Sequence, residues 1–297
     1  MGGGWLASGS LQRQRPGLFT LGVLFGLNIL AWLVVYDLKA PGFLEVNFFD
    51  VGQGDAIFIV SPQRHQILID GGPSSIILEK LASEMPFWDR TIDLIILTHP
   101  ERDHISGLIA VLKRYKVENI LWTGVIRDTA EYQEWLKLIK AKRPKIFLAK
   151  TGQKIKATGI AVTILYPFEN LEGKVLKDSN NTSIVSKLTF GENSFLFTGD
   201  IYKNGEGLLL NQVKQSLDSE VLKVSHHGSK TSSGEEFIAE VSPEIAVISV
   251  GKDNKYGHPH REVLDTLTKY GIRVLRTDEN GDIKIISDGK NYAIPNL

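Results

Sequence analysis

The sequence predicts an α/β domain built as a four-layer αββα sandwich, preceded by one transmembrane helix. Three observations predict it. Residues 18–36 form a long apolar run without a charge. Beyond residue 41, short strand-like runs first follow one another closely and then alternate with helix-period stretches. Several of those runs end in His or Asp, the mark of sheet edges that carry chemistry.

The first element is LFTLGVLFGLNILAWLVVY, in which Asn28 is the only strongly polar residue. A helix of this length nearly matches the ~30 Å hydrocarbon core of a bilayer. Trp32 and Tyr36 sit near one end, where aromatic rings favour the interface. Arg13 and Arg15 precede the run, and Asp37 and Lys39 follow it. The positive-inside bias then makes residues 1–17 a disordered cytoplasmic tail. It puts the rest outside the cytoplasm, on a single-pass protein of the cell membrane. A cleavable signal peptide competes with this reading, but Leu38-Lys39-Ala40 is a poor small-residue cleavage site. A core helix would carry a polar face, and this run has none.

Residues 41–297 read as one hydrolase-sized α/β domain. Strands are expected at 44–51, 55–60, 66–70, 92–98, 119–122, 145–148, 161–166, 183–190, 193–198, 220–225, 245–250, 272–276 and 282–286. Helices are expected at 76–84, 105–115, 130–141, 205–215, 235–241 and 261–270. That order suits two mixed sheets packed face to face, with helices on both outer faces.

Lysine plus arginine and aspartate plus glutamate both number 34, so net charge does not choose a partner. Its distribution is more telling. No acidic residue lies between Glu134 and Glu169, whereas Lys137, Lys140, Lys142, Arg143, Lys145, Lys150, Lys154 and Lys156 do. This stretch reads either as a phosphate-tracking rim or as a solvated helix face and hairpin. The absence of cysteine excludes disulfides, thiolate zinc sites and Cys nucleophiles. Any metal site must use imidazole and carboxylate.

The segment that decides the chemistry is ILTHPERDHISGL. An apolar strand ends, His99, Glu101, Asp103 and His104 appear within six residues, and a helix begins. Packing gives no reason for such a cluster, because burying unpaired carboxylates is costly. A divalent cation removes that cost. The same pattern recurs as Asp70 in LIDGG, Asp200 in FTGD and His226-His227 in VSHHGS, and more weakly as His258 in YGHPH. Alone, each Asp is an ordinary turn residue. Strand ends on one sheet edge share a crevice, so the four are expected to converge.

HPERDH, LIDGG, FTGD and HHGS resemble the motifs of the metallo-β-lactamase superfamily. FFDVGQGDAIFIV, NNTSIVSKL, LKVSHHGSKTSS, SVGKDNKYGHPH and RTDENGDIKI make residues 44–297 similar to the C-terminal hydrolase domain of ComEC-type competence proteins. The resemblance implies that His99, Glu101, Asp103 and His104 ligate metal, with Asp200 bridging two ions. It implies His226 as a further ligand, with His227 beside it as the alternative. His258 is the remaining ligand, a phosphate-binding group or a proton donor. Asp70 orients a ligating His from behind.

Two departures stand out. Glu101 occupies a place where the superfamily has His and ComEC-type relatives often have Asp. The His usual about twenty residues before the bridging Asp is missing, and Asn180 and Asn181 stand there instead. Asn181 either orients substrate or water or forms a turn. The implied cofactor is two divalent metal ions, manganese or zinc.

The resulting expectation is a metal-dependent phosphodiester hydrolase, a nonspecific DNA nuclease linked to DNA uptake. Asp103 takes part in catalysis, and His227 or His258 protonates the leaving oxygen. Ser229 and Lys230 hold phosphate oxygens or are loop surface. With one apolar segment, the chain is expected to work on DNA beside a separately encoded channel. A cell-surface phosphodiesterase for small esters or wall polymers is the alternative, as is a non-catalytic membrane-tethered binding module.

Overall fold

The computed structural model describes residues 1–4, 15–39 and 42–295. The chain divides into two compact units, Met1–Pro41 and Gly42–Leu297.

Among its described residues the first unit contains one helix, α1 (Arg15–Lys39). Leu18, Phe19, Leu21, Phe25, Leu27 and Leu30, which fall on every side of it, are exposed. Among the described residues no helix is long and apolar enough to cross a membrane. The described side chains of α1 end at Trp32, so the expected span 18–36 lies partly outside the described residues. Most of the expected tail, 1–17, does as well.

The second unit carries two sheets. The eight-stranded sheet has the order β15-β14-β1-β2-β3-β4-β5-β6. It is built from β1 (Leu44–Phe48), β2 (Ile57–Val60), β3 (Gln66–Ile69), β4 (Thr91–Ile96), β5 (Lys116–Trp122), β6 (Lys145–Leu148), β14 (Ile283–Ser287) and β15 (Tyr292–Ala293). The seven-stranded sheet has the order β13-β12-β11-β10-β9-β8-β7. Its strands are β7 (Lys154–Ala157), β8 (Ile160–Tyr166), β9 (Val185–Phe190), β10 (Asn193–Phe197), β11 (Val221–Lys223), β12 (Ile245–Ile248) and β13 (Arg273–Arg276). Helices α2 (Ile77–Glu84), α3 (Arg102–Arg114) and α4 (Ala130–Lys142) follow β3, β4 and β5. Helices α5 (Lys203–Val213), α6 (Glu235–Val241), α7 (Arg261–Lys269) and the short α8 (Thr277–Asn280) belong to the second half.

Period-two alternation sorts the core into layers. Ile67, Ile69, Leu94 and Ile96 share one buried cluster with Phe195, Phe197, Ile245 and Val247 from the other sheet. Leu68 and Ile95, pointing the opposite way, pack with Leu108 and Trp135 of α3 and α4. Leu196, Leu222 and Ala246 do the same with Phe237 of α6 and Leu267 of α7. The predicted four-layer sandwich is the observed architecture.

The departures from the expected elements are local. β7 is the sequence KIKA at a sheet edge, with alternate residues exposed, so lysines hide its strand character. β15 has only two residues and α8 only four, too short to show a period. The strand expected at 220–225 stops at Lys223, because His226 and His227 both take positive φ.

β3, β4, β5 and β6 run parallel, as do β10, β11, β12 and β13. Loops at their carboxyl ends therefore carry Asp70, His99, Asp200, His226 and His227 to one crevice, where open parallel sheets place their ligands. Gly107 in α3 lets this crevice close. A Cβ there would lie 1.7 Å from the Gly71 carbonyl oxygen.

Candidate metal centre

One ligand atom each from Asp103, His104, Asp200 and His227 lies within 4.8 Å of the others. Asp103 stands in the first turn of α3, where the helix N-terminus favours a carboxylate. Asp200 follows β10 and is fixed through its backbone N–H, which donates to Ser183 Oγ at 2.9 Å. Its Oδ2 lies 3.3 Å from both His104 Nε2 and His227 Nε2.

Each of the two imidazoles is set by a bond to its other nitrogen. His104 Nδ1 meets Asp70 Oδ2 at 2.8 Å, and His227 Nδ1 meets the Ser249 carbonyl oxygen at 2.8 Å. Both acceptors take a proton from Nδ1, which aims each Nε2 into the crevice. Asp70 also accepts from Thr98 N at 2.8 Å and Thr98 Oγ1 at 2.6 Å. Behind the cluster, the buried Lys223 pairs with buried Asp55 and lies 3.7 Å from Asp200 Oδ1.

Burial and charge pull these groups in opposite directions. Burial would lower His104 and His227, but Asp200 heads the carboxylates that hold both well above the ordinary imidazole range. Burial would raise Asp200, yet His227 and His104 hold it well below the carboxylate range. His99 has no such support. Burial, and then His104, push it down to about 3, so it is neutral.

The donor set fits a divalent cation. The Nε2 atoms of His99, His104 and His227 and the Oδ1 of Asp200 are buried without a hydrogen-bond partner among the described residues. Four such atoms at one crevice, beside acidic groups in excess of the one buried ammonium, are costly unless a cation satisfies them.

The expected site residues divide by placement. His99 faces the cluster, its ring 4.1 Å from that of His104. Glu101 lines the crevice, but both its oxygens are taken: one accepts from Ser179 N and Oγ, at 3.1 and 2.6 Å, and the other meets Arg127 at 3.0 Å. The structure does not bring its carboxylate into the ligand set. The expectation gave the ligand role to His226, with His227 beside it. The geometry puts His227 in the set, whereas His226 sits at the rim, 3.9 Å from Asp200 Oδ2 and 3.2 Å from Asn180 Nδ2. His258 is also at the rim, its ring 5.5 Å from that of His226. Burial, followed by His227 and His226, presses it down to about 4. Asn181 does not face the crevice, for its Oδ1 accepts from Tyr202 N at 3.2 Å. Ser229 is buried, bonding Thr231 Oγ1 at 2.9 Å, and Lys230 is exposed.

The crevice is an open cleft of about 190 Å³, lined among others by Gln53, Asp103, Asn180, Asp200, Tyr256 and His258. A larger and mostly apolar cavity, about 470 Å³, opens near His65, Asp93 and Asn119. Its wall is built from β3 to β7, with Ile67, Leu94, Leu121, Phe147 and Ile155 among its lining, and it holds none of these groups.

The family profile described as the metallo-beta-lactamase superfamily matches residues 49–252. The chain belongs to this superfamily. Its fold is thus that of the metallo-β-lactamase hydrolases, and the sequence resemblance to ComEC-type domains extends to curated relatives. It is 36% identical to ComE operon protein 3 of Bacillus subtilis over 91% of this chain and 37% of that protein. It is 30% identical to competence protein ComA of Neisseria gonorrhoeae over 86% of this chain and 34% of that protein. The chain spans about a third of the length of these curated relatives. Among solved structures, the metallo-beta-lactamase fold protein YhfI of Bacillus subtilis superposes with a TM-score of 0.55 at 14% identity. That match covers 81% of this chain and 99% of YhfI, and at this identity it speaks for the fold alone.

Proposed function

We propose that the domain is a metal-dependent phosphodiester hydrolase whose substrate is DNA, acting in DNA uptake. The observation that carries this reading is the convergence of Asp103, His104, Asp200 and His227 on one open crevice. The competence protein among its relatives supports DNA as the substrate. Bound divalent cations, manganese or zinc, supply Lewis acidity and lower the pKa of water toward about 7.

The chain's own residues do the rest. Asp70 and the Ser249 carbonyl hold the two imidazoles in the ligating tautomer. His226 and His258 are both held below the ordinary imidazole range, burial being the first cause. At neutral pH they are hydrogen-bond partners for phosphate oxygens, and solvent protonates the leaving sugar oxygen.

For α1 we propose a membrane anchor that leaves the hydrolase domain outside the cytoplasm. The exposed apolar residues on all its sides support this. Protease accessibility in intact cells checks the topology.

Incubation of the purified chain with single- and double-stranded DNA and manganese tests the activity. Degradation that is lost in Asp103→Ala is the expected result. Intact DNA alongside cleavage of a chromogenic phosphodiester would transfer the activity to small esters.

A further inference from the structure

We propose that Tyr256 is a base-stacking platform at the lip of the crevice, so that the site takes a nucleotide with its base unpaired beside the phosphate it positions. This rests on the reading of the crevice as a phosphodiester site and adds to it the class of substrate, a single-stranded nucleic acid.

Tyr256 lines the same cleft as Asp103, Asp200 and His227, yet the residue is 66% exposed. A large aromatic side chain thus stands mostly in water at the mouth of a polar site. One face of the ring is backed by His258, with centroids 5.6 Å apart and planes 26° from parallel. His260 lies beyond it, its ring 5.0 Å from that of His258 and tilted by 58°. The outer face of Tyr256 therefore belongs to solvent or to a ligand with a flat apolar surface.

The platform is preorganised. Asn254 binds its own loop from within: Nδ2 donates to the carbonyls of Gly251 at 2.9 Å and His258 at 2.7 Å. Its Oδ1 accepts from the backbone N–H of Tyr256 at 3.2 Å and His258 at 3.0 Å. Four bonds to one side chain fix the ring's base before any ligand arrives, which lowers the ordering cost of binding. Lys252 and Lys255 on the same loop are exposed, as is Lys230 on the loop after the paired histidines. Ammonium groups interleaved with an aromatic ring suit a chain whose backbone is anionic and whose bases are flat. A base paired inside a duplex has no free face to offer, whereas wall polymers and small alkyl esters have no flat ring.

The test is fluorescence anisotropy of labelled oligonucleotides with the full chain in detergent. An oligothymidylate is compared with a fully abasic oligomer of the same length. Stacking on one ring, measured elsewhere by alanine substitution, corresponds to roughly tenfold in affinity per base. The wild type is expected to bind the base-bearing oligomer about tenfold more tightly. Tyr256→Ala is expected to lose that difference with no change toward the abasic oligomer, and Tyr256→Phe to retain it. Equal binding of the two oligomers by the wild type would overturn the proposal. So would a Tyr256→Ala variant that weakens both alike, since that pattern belongs to a structural role. Because binding is read without turnover, base-dependent binding with no DNA cleavage would sink the hydrolase reading and leave the platform standing.

Discussion

Asp70 Oδ2 lies 2.8 Å from His104 Nδ1, and the far nitrogen of the same ring lies 3.3 Å from Asp200. A residue at the end of β3 thus aims a ligand that follows β4 at an acid that follows β10. Asp70 is wholly buried, and burial raises its pKa despite the His104 charge beside it. Its position costs free energy that the aim of the imidazole must justify.

Asp70→Asn keeps the shape and the Thr98 bonds in part, but it weakens the acceptor that fixes the His104 tautomer. Metal affinity is expected to fall roughly 10- to 100-fold, the usual effect of losing such a partner. Competition with a chromogenic chelator measures it, and far-UV circular dichroism should be unchanged.

The paired histidines should separate in the same assay. His227→Ala removes a member of the ligand set and is expected to abolish tight metal binding. His226→Ala leaves that set whole, so metal content should persist while turnover drops. Equal metal loss in both variants would contradict the assignment.

Glu101 offers a third test. Its oxygens are taken by Ser179 and Arg127, so Glu101→Gln is expected to retain bound metal. It should lose about 1–2 kcal/mol of stability through the weakened charge-assisted bonds. Urea unfolding together with metal analysis reads both quantities.

Glu206 carries the pH prediction. Burial raises its carboxyl to about 7, against the backbone N–H groups of Gly234 and Ser233 that favour the ionised form. The folded chain then holds a proton that the unfolded chain has released. Stability from this group is full below the ordinary Glu pKa of 4.5 and is lost as pH rises toward 7. The loss is about 3 kcal/mol by the usual conversion of a pKa shift. Glu206→Gln should flatten the stability profile between those limits relative to wild type, as read by urea unfolding at a series of pH values.

Much of the site was legible because its signals are local. His99, Asp103 and His104 stand within one motif, and Asp70 and Asp200 each end an apolar strand. Glu101 was not legible, since its partners Arg127 and Ser179 are 26 and 78 residues away. Which histidine ligates was hidden too. Both His226 and His227 adopt left-handed backbone, and only that pair of dihedrals turns His227 inward. Asp55 and Lys223 received no role from the sequence, although a signal existed. A lysine within the apolar run VLKV must pair if it is buried. The sheet orders rest on long-range registers such as β1 with β14, which no local pattern encodes.

The central claim is that this crevice holds divalent cations, and metal analysis after dialysis tests it most directly. Wild-type chain exposed to manganese or zinc and then freed of unbound ions should retain metal in stoichiometric amount, and Asp200→Ala should retain almost none. Wild-type chain stripped bare by that dialysis, or an Asp200→Ala variant equally loaded, would contradict it.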